Sequence, residues 1–462
     1  MPLIKSVSGI RGVIGGKPGE NLTPIDIVKY SAAFADYMMR QSGKKTILIG
    51  RDGRISGELV SQLVSATLQS MGANVIDLGL STTPSVEMAV LEEAEAAGGI
   101  ILTASHNPRE WNALKLLNAH GEFLDADAGA EVLRIAESEA INFAPVDQLG
   151  SYIRRDDSIV RHIQKVLQHP LVLTELVQAK GFRVVVDPVN STGALALPPL
   201  LEALGCHVTM INEEVNGQFA HNPEPLRMHL QQLSSAVKRF KADIGIAVDP
   251  DVDRLVLLNS DGDLFGEEYT LVAAADYVLS KRPGNTVSNL SSSRALADIT
   301  EKYGGQYTAA AVGEVHVVRK MKETQAVVGG EGNGGVILPD LHYGRDALIG
   351  IALILSLLAE RKISLHALRA RYPNYEMIKS RFDLNEKLNL DAIFDHLKTK
   401  YRREKINTED GLRIDFDNGW IHLRPSNTEP IIRLYAESKN ETIAHNLTEK
   451  IIQDIRDMRV QM

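Results

Sequence analysis

A single cysteine, Cys206, is all the thiol in the 462-residue chain, so no disulfide can form within it. Its setting, LEALGCHV, reads as a small buried apolar position rather than a reactive one. So little sulfur chemistry suits a reducing, cytoplasmic compartment. Long hydrophobic runs are missing as well. The most apolar helical stretch, Ala347 to Ala359, is 13 residues, too short to span a bilayer and suited to a buried helix. The opening residues, MPLIKSVSGIRG, lack the apolar core of a signal peptide, so neither targeting nor membrane association is expected. Positive charge is in deficit: the formal net charge of -9 argues against a nucleic-acid partner. A pocket for a small anion needs only a few local cations and stays open.

The composition that remains is that of a globular chain, 44% hydrophobic and 24% charged. Its length suggests about three domains. Three stretches share one grammar of strand, polar turn, helix, glycine and strand. They run from Thr46 to Leu78, from Phe182 to Ile211 and from Asn285 to Val312. In each, glycine stands where a helix C-cap is expected, and the strand-helix-strand order implies parallel pairing. After Arg371 the pattern changes to β-α-β-β-β-α, with Asp417-Asn418-Gly419 as a tight hairpin between LRIDF and WIHLR. The expected fold is α/β: three tandem related α/β domains with mixed sheets, then a smaller C-terminal α+β domain. The boundaries fall at residues 1–154, 155–257, 258–367 and 368–462.

Four loops concentrate the chemistry. Ile100-Ile101-Leu102 reads as a buried strand that breaks at Thr103-Ala-Ser-His-Asn-Pro108, holding Ser105 and His106 at a strand exit, where open α/β sheets place ligands. Asp249, Asp251 and Asp253 alternate in a loop stiffened by Pro250 and can converge on one hard cation. The EF-hand pattern fails, since Arg254 and Ser260 stand where glycine and glutamate are required. Gly330-Glu331-Gly332-Asn333-Gly334-Gly335 formally fits a dinucleotide fingerprint, but Val336-Ile337-Leu338 reads as a strand where that fingerprint needs a helix. A nicotinamide cofactor is therefore not expected. What remains is a loop presenting Glu331 and Asn333 to neighbouring hydroxyls, or simply a glycine-rich hairpin. Arg424-Pro-Ser426-Asn427-Thr428-Glu-Pro430, with Arg433 nearby, has the groups of a phosphate nest. Three residues stay ambiguous by sequence. Arg11, between Gly9 and Gly12, reads as part of a flexible turn that either lies on the surface or approaches an anion. Lys115 is either an exposed charge on a helix or a group that shuttles a proton or stabilises charge. His316 is either a satisfied histidine or a ligand.

Together these loops resemble those of the α-D-phosphohexomutase superfamily, which includes phosphoglucosamine mutases and phosphomannomutase/phosphoglucomutases. TASHNP resembles its phosphoserine loop, DPDVDR its magnesium loop, GEGNGG its sugar loop and RPSNTEP its phosphate-binding loop, in the family's order and over the whole chain. The resemblance implies four domains around a central cleft. Ser105 would carry a phosphoryl group, and Asp249, Asp251, Asp253 and a phosphate oxygen on Ser105 would surround Mg2+. Arg11, His106 and Lys115 would stand around that group. Arg254, Glu331, Asn333 and His316 would bind substrate, and Arg424, Ser426, Asn427, Thr428 and Arg433 would hold its non-reacting phosphate. The implied reaction converts a hexose 6-phosphate to its 1-phosphate, with the sugar 1,6-bisphosphate as intermediate and activator and a small sugar phosphate as the only partner. Phosphoglucosamine mutase is the first expectation and phosphomannomutase/phosphoglucomutase the second. Many bacterial members carry histidine where this chain has Gly335, and glycine cannot replace its hydrogen bond. Two rivals differ in kind: a magnesium phosphatase with Asp249 as nucleophile, and a non-catalytic sugar-phosphate binder. The sequence does not fix the oligomeric state.

Overall fold

Parallel strands buried on both faces read as continuous apolar runs, and the first sheet is built from several. The computed structural model describes residues 3–6, 9–138, 140–383, 390–425 and 431–461. Its first sheet contains β1 (Ile4–Ser6), β2 (Gly9–Val13), β3 (Thr46–Arg51), β4 (Asn74–Leu80), β5 (Ala96–Leu102), β6 (Trp111–Leu117) and β7 (Tyr152–Arg154), ordered β1-β2-β6-β5-β3-β4-β7. β3 runs parallel to β4 and β5, while β6 runs antiparallel to β5 and β2. Ile47, Ile49, Ile100 and Leu102 face the helices Pro24–Ser42, Gly57–Ser70 and Ala126–Ser138. Leu48, Ile76 and Ile101 face the helix Thr83–Glu92 through Val86 and Val90. The period of two along each strand divides its side chains between the layers.

Two local expectations change in this sheet. Gly9 to Val13 form a strand rather than a flexible turn, and Gly9 serves close approach: a Cβ there would lie 2.1 Å from the Leu114 carbonyl oxygen. Lys115 lies on β6 and is buried, not on an exposed helix. The segment from Trp111 to Leu117 is buried along its whole length, so its polarity pattern carried no helical period.

The second sheet holds β8 (Arg183–Asp187), β9 (His207–Met210), β10 (Ile244–Val248) and β11 (Leu255–Asn259), ordered β11-β10-β8-β9. The third holds β12 (Asn285–Asn289), β13 (Tyr307–Ala310), β14 (Ala326–Glu331) and β15 (Gly335–Ile337), ordered β13-β12-β14-β15. Both repeat the β6-β5-β3-β4 core of the first sheet. A first strand lies between two parallel partners, and the chain then turns back in an antiparallel strand. That final turn holds the Ser105 loop in the first unit, the three aspartates in the second and Glu331 in the third. The boundary expected at residue 257 runs through β11, because this returning strand still belongs to the second sheet. Helices Glu267–Lys281 and Ala347–Arg361 share one apolar cluster with Val184, Leu200 and Ile246, so the second and third units have a continuous core.

The C-terminal unit is an antiparallel sheet of β16 (Glu376–Asp383), β17 (Lys405–Asn407), β18 (Leu412–Phe416), β19 (Gly419–Pro425) and β20 (Ile431–Ser438), ordered β16-β20-β19-β18-β17. Helices Leu390–Lys400 and Glu441–Gln461 share its apolar core through Ile393, Leu397, Ile451 and Ile455. The short β17 adds one strand to the expected order. Among the described residues no helix is long and apolar enough to cross a membrane.

Candidate active site

The turn from β10 to β11 is clamped from all three α/β units. The Pro250 carbonyl accepts from the Ser191 and Thr192 hydroxyls at 2.6 and 2.9 Å, that of Asp251 from the Thr83 N–H at 2.8 Å, and that of Val252 from the Ala347 N–H at 3.2 Å. Val252 sits at φ 64, an uncommon conformation for a β-branched residue that such clamping can maintain. The turn brings oxygens of Asp249, Asp251 and Asp253 within 4.8 Å of one another, all three residues fully buried. Asp249 Oδ1 accepts from the Asp253 and Arg254 N–H groups. Asp251 Oδ1 and Asp253 Oδ1 are buried without a hydrogen-bond donor among the described residues. Three carboxylates with two orphaned oxygens form an all-oxygen donor set that fits a hard divalent cation.

Ser105 faces this turn. It occupies the left-handed region at φ 48, with its N–H on Thr103 Oγ1 at 2.9 Å and its hydroxyl donating to Asp249 Oδ2 at 2.7 Å. His106 Nδ1 lies 3.3 Å from the same hydroxyl oxygen. The loop owes its shape to Arg54, absent from the sequence-based set. Its guanidinium donates to the carbonyls of Ser105, Asn107, Pro108 and Trp111 at 2.5, 2.7, 2.7 and 2.9 Å, and its Nε to Asp52 Oδ2 at 3.0 Å. Asp52 in turn accepts from Thr103 Oγ1 at 2.6 Å. Arg11 joins the loop through Asn107 Oδ1 at 3.0 Å.

Lys115 reaches across from β6 to Asp251 Oδ2 at 2.6 Å and Asp253 Oδ2 at 3.4 Å, and Thr83 Oγ1 donates to the same Asp251 oxygen at 2.6 Å. Burial by itself would lower the Lys115 pKa and raise that of Asp251. Their mutual attraction outweighs it, holding the ammonium above and the carboxyl below their ordinary values. Asp249 goes the other way, pushed well up by burial and by its neighbours Asp253 and Asp251. His106 is pushed well down, first by burial and then by the guanidiniums of Arg254, Arg11 and Arg345, so it is neutral. Arg254 closes one side: its Nε is 3.9 Å from Asp249 Oδ2, buried and without a hydrogen-bond acceptor among the described residues.

A second arginine missed by sequence, Arg345, ties this centre to the loop after β14. It donates to Asp253 Oδ2 at 2.7 Å, to Glu331 Oε2 at 2.8 Å and to Glu314 Oε2 at 2.8 Å. Glu331 Oε1 accepts from Asn289 Nδ2 at 2.8 Å and the Gly313 N–H at 3.2 Å. Asn333 holds the loop from within, its Oδ1 accepting from the Gly335 N–H at 3.3 Å. Gly335 now has a reason of its own: a Cβ there would lie 2.3 Å from Arg345 Cδ, so Arg345 occupies the space a side chain would need. His316 stands half-buried in the first turn of the helix Glu314–Thr324, lining a pocket with Phe123 and Tyr343; no hydrogen bond joins it to Glu331 or Asn333 among the described residues.

On the C-terminal sheet, Arg424 and Arg433 are direct cross-strand partners, and Arg433 is also opposite Arg381 on β16. Arg424 has Asp410 Oδ2 at 2.7 Å. Like charges directly opposite repel, which leaves Arg433 and Arg381 facing each other across the strands while Arg424 pairs with Asp410. Arg381 was not anticipated. Ser426, Asn427 and Thr428 lie outside the described residues.

Comparison with known proteins follows the same architecture. The sequence matches the Phosphoglucomutase/phosphomannomutase alpha/beta/alpha domain I over residues 3–142, domain II over 160–262, domain III over 266–375 and the C-terminal domain over 377–453. It is 35% identical to a phosphoglucomutase/phosphomannomutase of Thermococcus kodakarensis over 96% of both chains. It is 32% identical to a phosphoglucosamine/phosphogalactosamine mutase of Sulfurisphaera tokodaii, over 96% of this chain and 97% of the relative. A crystal structure of a phosphoglucomutase/phosphomannomutase family protein from Burkholderia thailandensis superposes with a TM-score of 0.86 at 26% identity, covering 99% of this chain and 97% of that one. With all four domains matched in order and relatives aligned almost end to end, the chain belongs to the phosphoglucomutase/phosphomannomutase family, within the α-D-phosphohexomutase superfamily.

Proposed function

We propose that the protein interconverts glucosamine 6-phosphate and glucosamine 1-phosphate, with Ser105 as the phosphoryl carrier and the sugar 1,6-bisphosphate as intermediate and priming activator. The observation that carries this reading is the 2.7 Å hydrogen bond from the Ser105 hydroxyl to Asp249, beside the orphaned oxygens of Asp251 and Asp253. A nucleophilic oxygen and an acidic cation site meet there at one point, as phosphoryl transfer requires. Bound by the three aspartates, Mg2+ would supply charge neutralisation at the transferring group.

In the forward half-reaction the bond between phosphorus and Ser105 Oγ breaks as a sugar hydroxyl oxygen bonds to phosphorus, and the hydroxyl proton ends on Ser105 Oγ. In the second half the bisphosphate, turned end for end, returns its other phosphoryl group to Ser105 and the proton to the new sugar hydroxyl. His106, neutral and 3.3 Å from Ser105 Oγ, is placed to relay that proton. Lys115, held charged between Asp251 and Asp253, instead stabilises negative charge. Arg11 and the unpartnered Arg254 Nε supply further donors. Glu331 and Asn333 are assigned to the sugar hydroxyls, with His316 beside them. The row of Arg381, Arg433 and Arg424, together with Ser426, Asn427 and Thr428, is assigned to the phosphate that does not react.

The name of the Sulfurisphaera relative supports an amino sugar, and that of the Thermococcus relative supports mannose or glucose phosphates as the second reading. The test compares kcat/KM for glucosamine, mannose and glucose phosphates with a catalytic amount of the matching bisphosphate. Glucosamine phosphate is expected to be turned over best. A preference for mannose or glucose phosphate would transfer the assignment to the second reading, and no turnover of any would overturn both.

A further inference from the structure

Joined to the aspartate turn through the Thr83 and Ala347 N–H groups is a cluster that the proposed reaction does not use. His162 Nε2 is 2.9 Å and His342 Nε2 3.4 Å from the same oxygen, Asp346 Oδ2, and these three ligand-type atoms lie within 4.8 Å of one another. All three residues are buried. Each comes from a segment fixed elsewhere: His162 from the first helix of the second unit, Ser158–Gln168, and His342 and Asp346 from the stretch leading into the helix Ala347–Arg361. The other Asp346 oxygen, Oδ1, caps that helix through the Leu348 and Ile349 N–H groups, leaving Oδ2 to the histidines.

The outer side of each imidazole also has a partner. His162 Nδ1 is 3.0 Å from Ser85 Oγ, and His342 Nδ1 is 3.4 Å from Glu87 Oε2. Ser85 and Glu87 belong to the helix Thr83–Glu92 of the first unit, so three units meet here. Glu87 is 1% exposed, and neither of its carboxylate oxygens has a hydrogen bond among the described residues. Room for it depends on Gly344, where a Cβ would fall 1.8 Å from Glu87 Oε2.

We infer that His162, His342 and Asp346 form a second metal site, structural rather than catalytic, for a zinc-type divalent ion, with Ser85 and Glu87 orienting the two imidazoles from outside. Two arguments converge. The buried carboxylates Asp346 and Glu87 have no lysine or arginine partner among the described residues, only the two imidazoles, and a divalent ion would supply the positive charge that buried carboxylates need. Ligation through both Nε2 atoms also turns each Nδ1 into an N–H donor, directed at Ser85 Oγ and at the orphaned Glu87 carboxylate, the outer-shell arrangement typical of metal-bound histidine. Nitrogen donors favour zinc over magnesium, so this site and the all-oxygen aspartate site would select different ions. The ion would brace the catalytic turn, since the Thr83 and Ala347 N–H groups hold the Asp251 and Val252 carbonyls. The inference is independent of which sugar is the substrate.

The full-length protein, stripped with chelator and checked for retained fold by circular dichroism, would be titrated with Co2+ in excess Mg2+ and separately analysed for bound zinc after dialysis. The expected result is an intense visible spectrum of nitrogen-ligated, low-coordinate Co2+ and one retained zinc per chain. Both should persist in Asp251→Asn and be lost in His162→Gln. Absence of that spectrum in the wild-type protein, or its loss in Asp251→Asn, would overturn the assignment. If His162→Gln does not fold, the wild-type and Asp251→Asn pair still decides.

Discussion

Arg345 is the residue on which the site's charge balance turns. One guanidinium satisfies carboxylates from three different segments, Asp253, Glu314 and Glu331, while itself buried. Lysine keeps the charge but not the planar fork. Arg345→Lys is therefore expected to lose about 1–3 kcal/mol of stability, the cost of leaving a buried group without its hydrogen bond, and to abolish most turnover; chemical denaturation and the mutase assay read the two effects. Arg54 acts on the backbone instead. Its four carbonyl partners lie in the stretch from Ser105 to Trp111, so Arg54→Lys should leave the fold largely intact but release the Ser105 loop. The expected readout is slower phosphorylation of Ser105 by bisphosphate, lowering kcat more than it raises KM. A variant with unchanged phosphorylation kinetics would show that the loop keeps its shape without the clamp.

At the scale of elements, the arginine row across β16, β20 and β19 makes a double prediction. Arg424 is paired with Asp410, whereas Arg433 and Arg381 repel each other across the strands, a repulsion that a bound phosphate would relieve. Arg381→Ala should raise KM for the sugar phosphate several-fold with a smaller change in kcat, and should reduce the stabilisation that inorganic phosphate gives in a thermal-shift series. The same sheet carries a pH-sensitive contact to the third unit, from His422 Nδ1 to Ser291 Oγ at 2.9 Å. Burial pushes the His422 pKa from its ordinary 6.5 down to about 4. Between those values the unfolded chain binds a proton that the folded chain refuses, so stability falls as pH drops through the window, by up to about 3 kcal/mol. Urea unfolding of the wild type and His422→Gln should show their stability difference shifting in favour of the variant between pH 6.5 and 4.

The elements also show what was readable from sequence. TASHNP and DPDVDR were legible because proline and alternating carboxylates interrupt apolar strands in ways no regular structure explains. Lys115 was not, since a strand buried on both faces hides its period among apolar neighbours. Arg54, Thr83 and Arg345 were illegible for a different reason: Arg54 meets the Ser105 loop only when its own sheet brings residues 51 apart together, and Thr83 and Arg345 meet Asp251 and Asp253, 168 and 92 residues away, only when separate units pack together. The arginine row emerges only from register, which aligns Arg381 with Arg433.

Across the whole molecule, one arrangement is used three times. Each α/β unit places its functional loop at the turn from the last parallel strand into the antiparallel return strand, and Arg345, Lys115 and Thr83 join the three turns into one centre. On the proposed mechanism Ser105 relays the phosphoryl group and the aspartates hold the cation. A phosphatase built on the same turn would load the phosphoryl group on Asp249 instead. Intact-mass measurement after incubation with Mg2+ and a hexose 1,6-bisphosphate separates them: one phosphoryl adduct is predicted on the wild type and none on Ser105→Ala, whereas an adduct that survives in Ser105→Ala and vanishes in Asp249→Asn would contradict the relay.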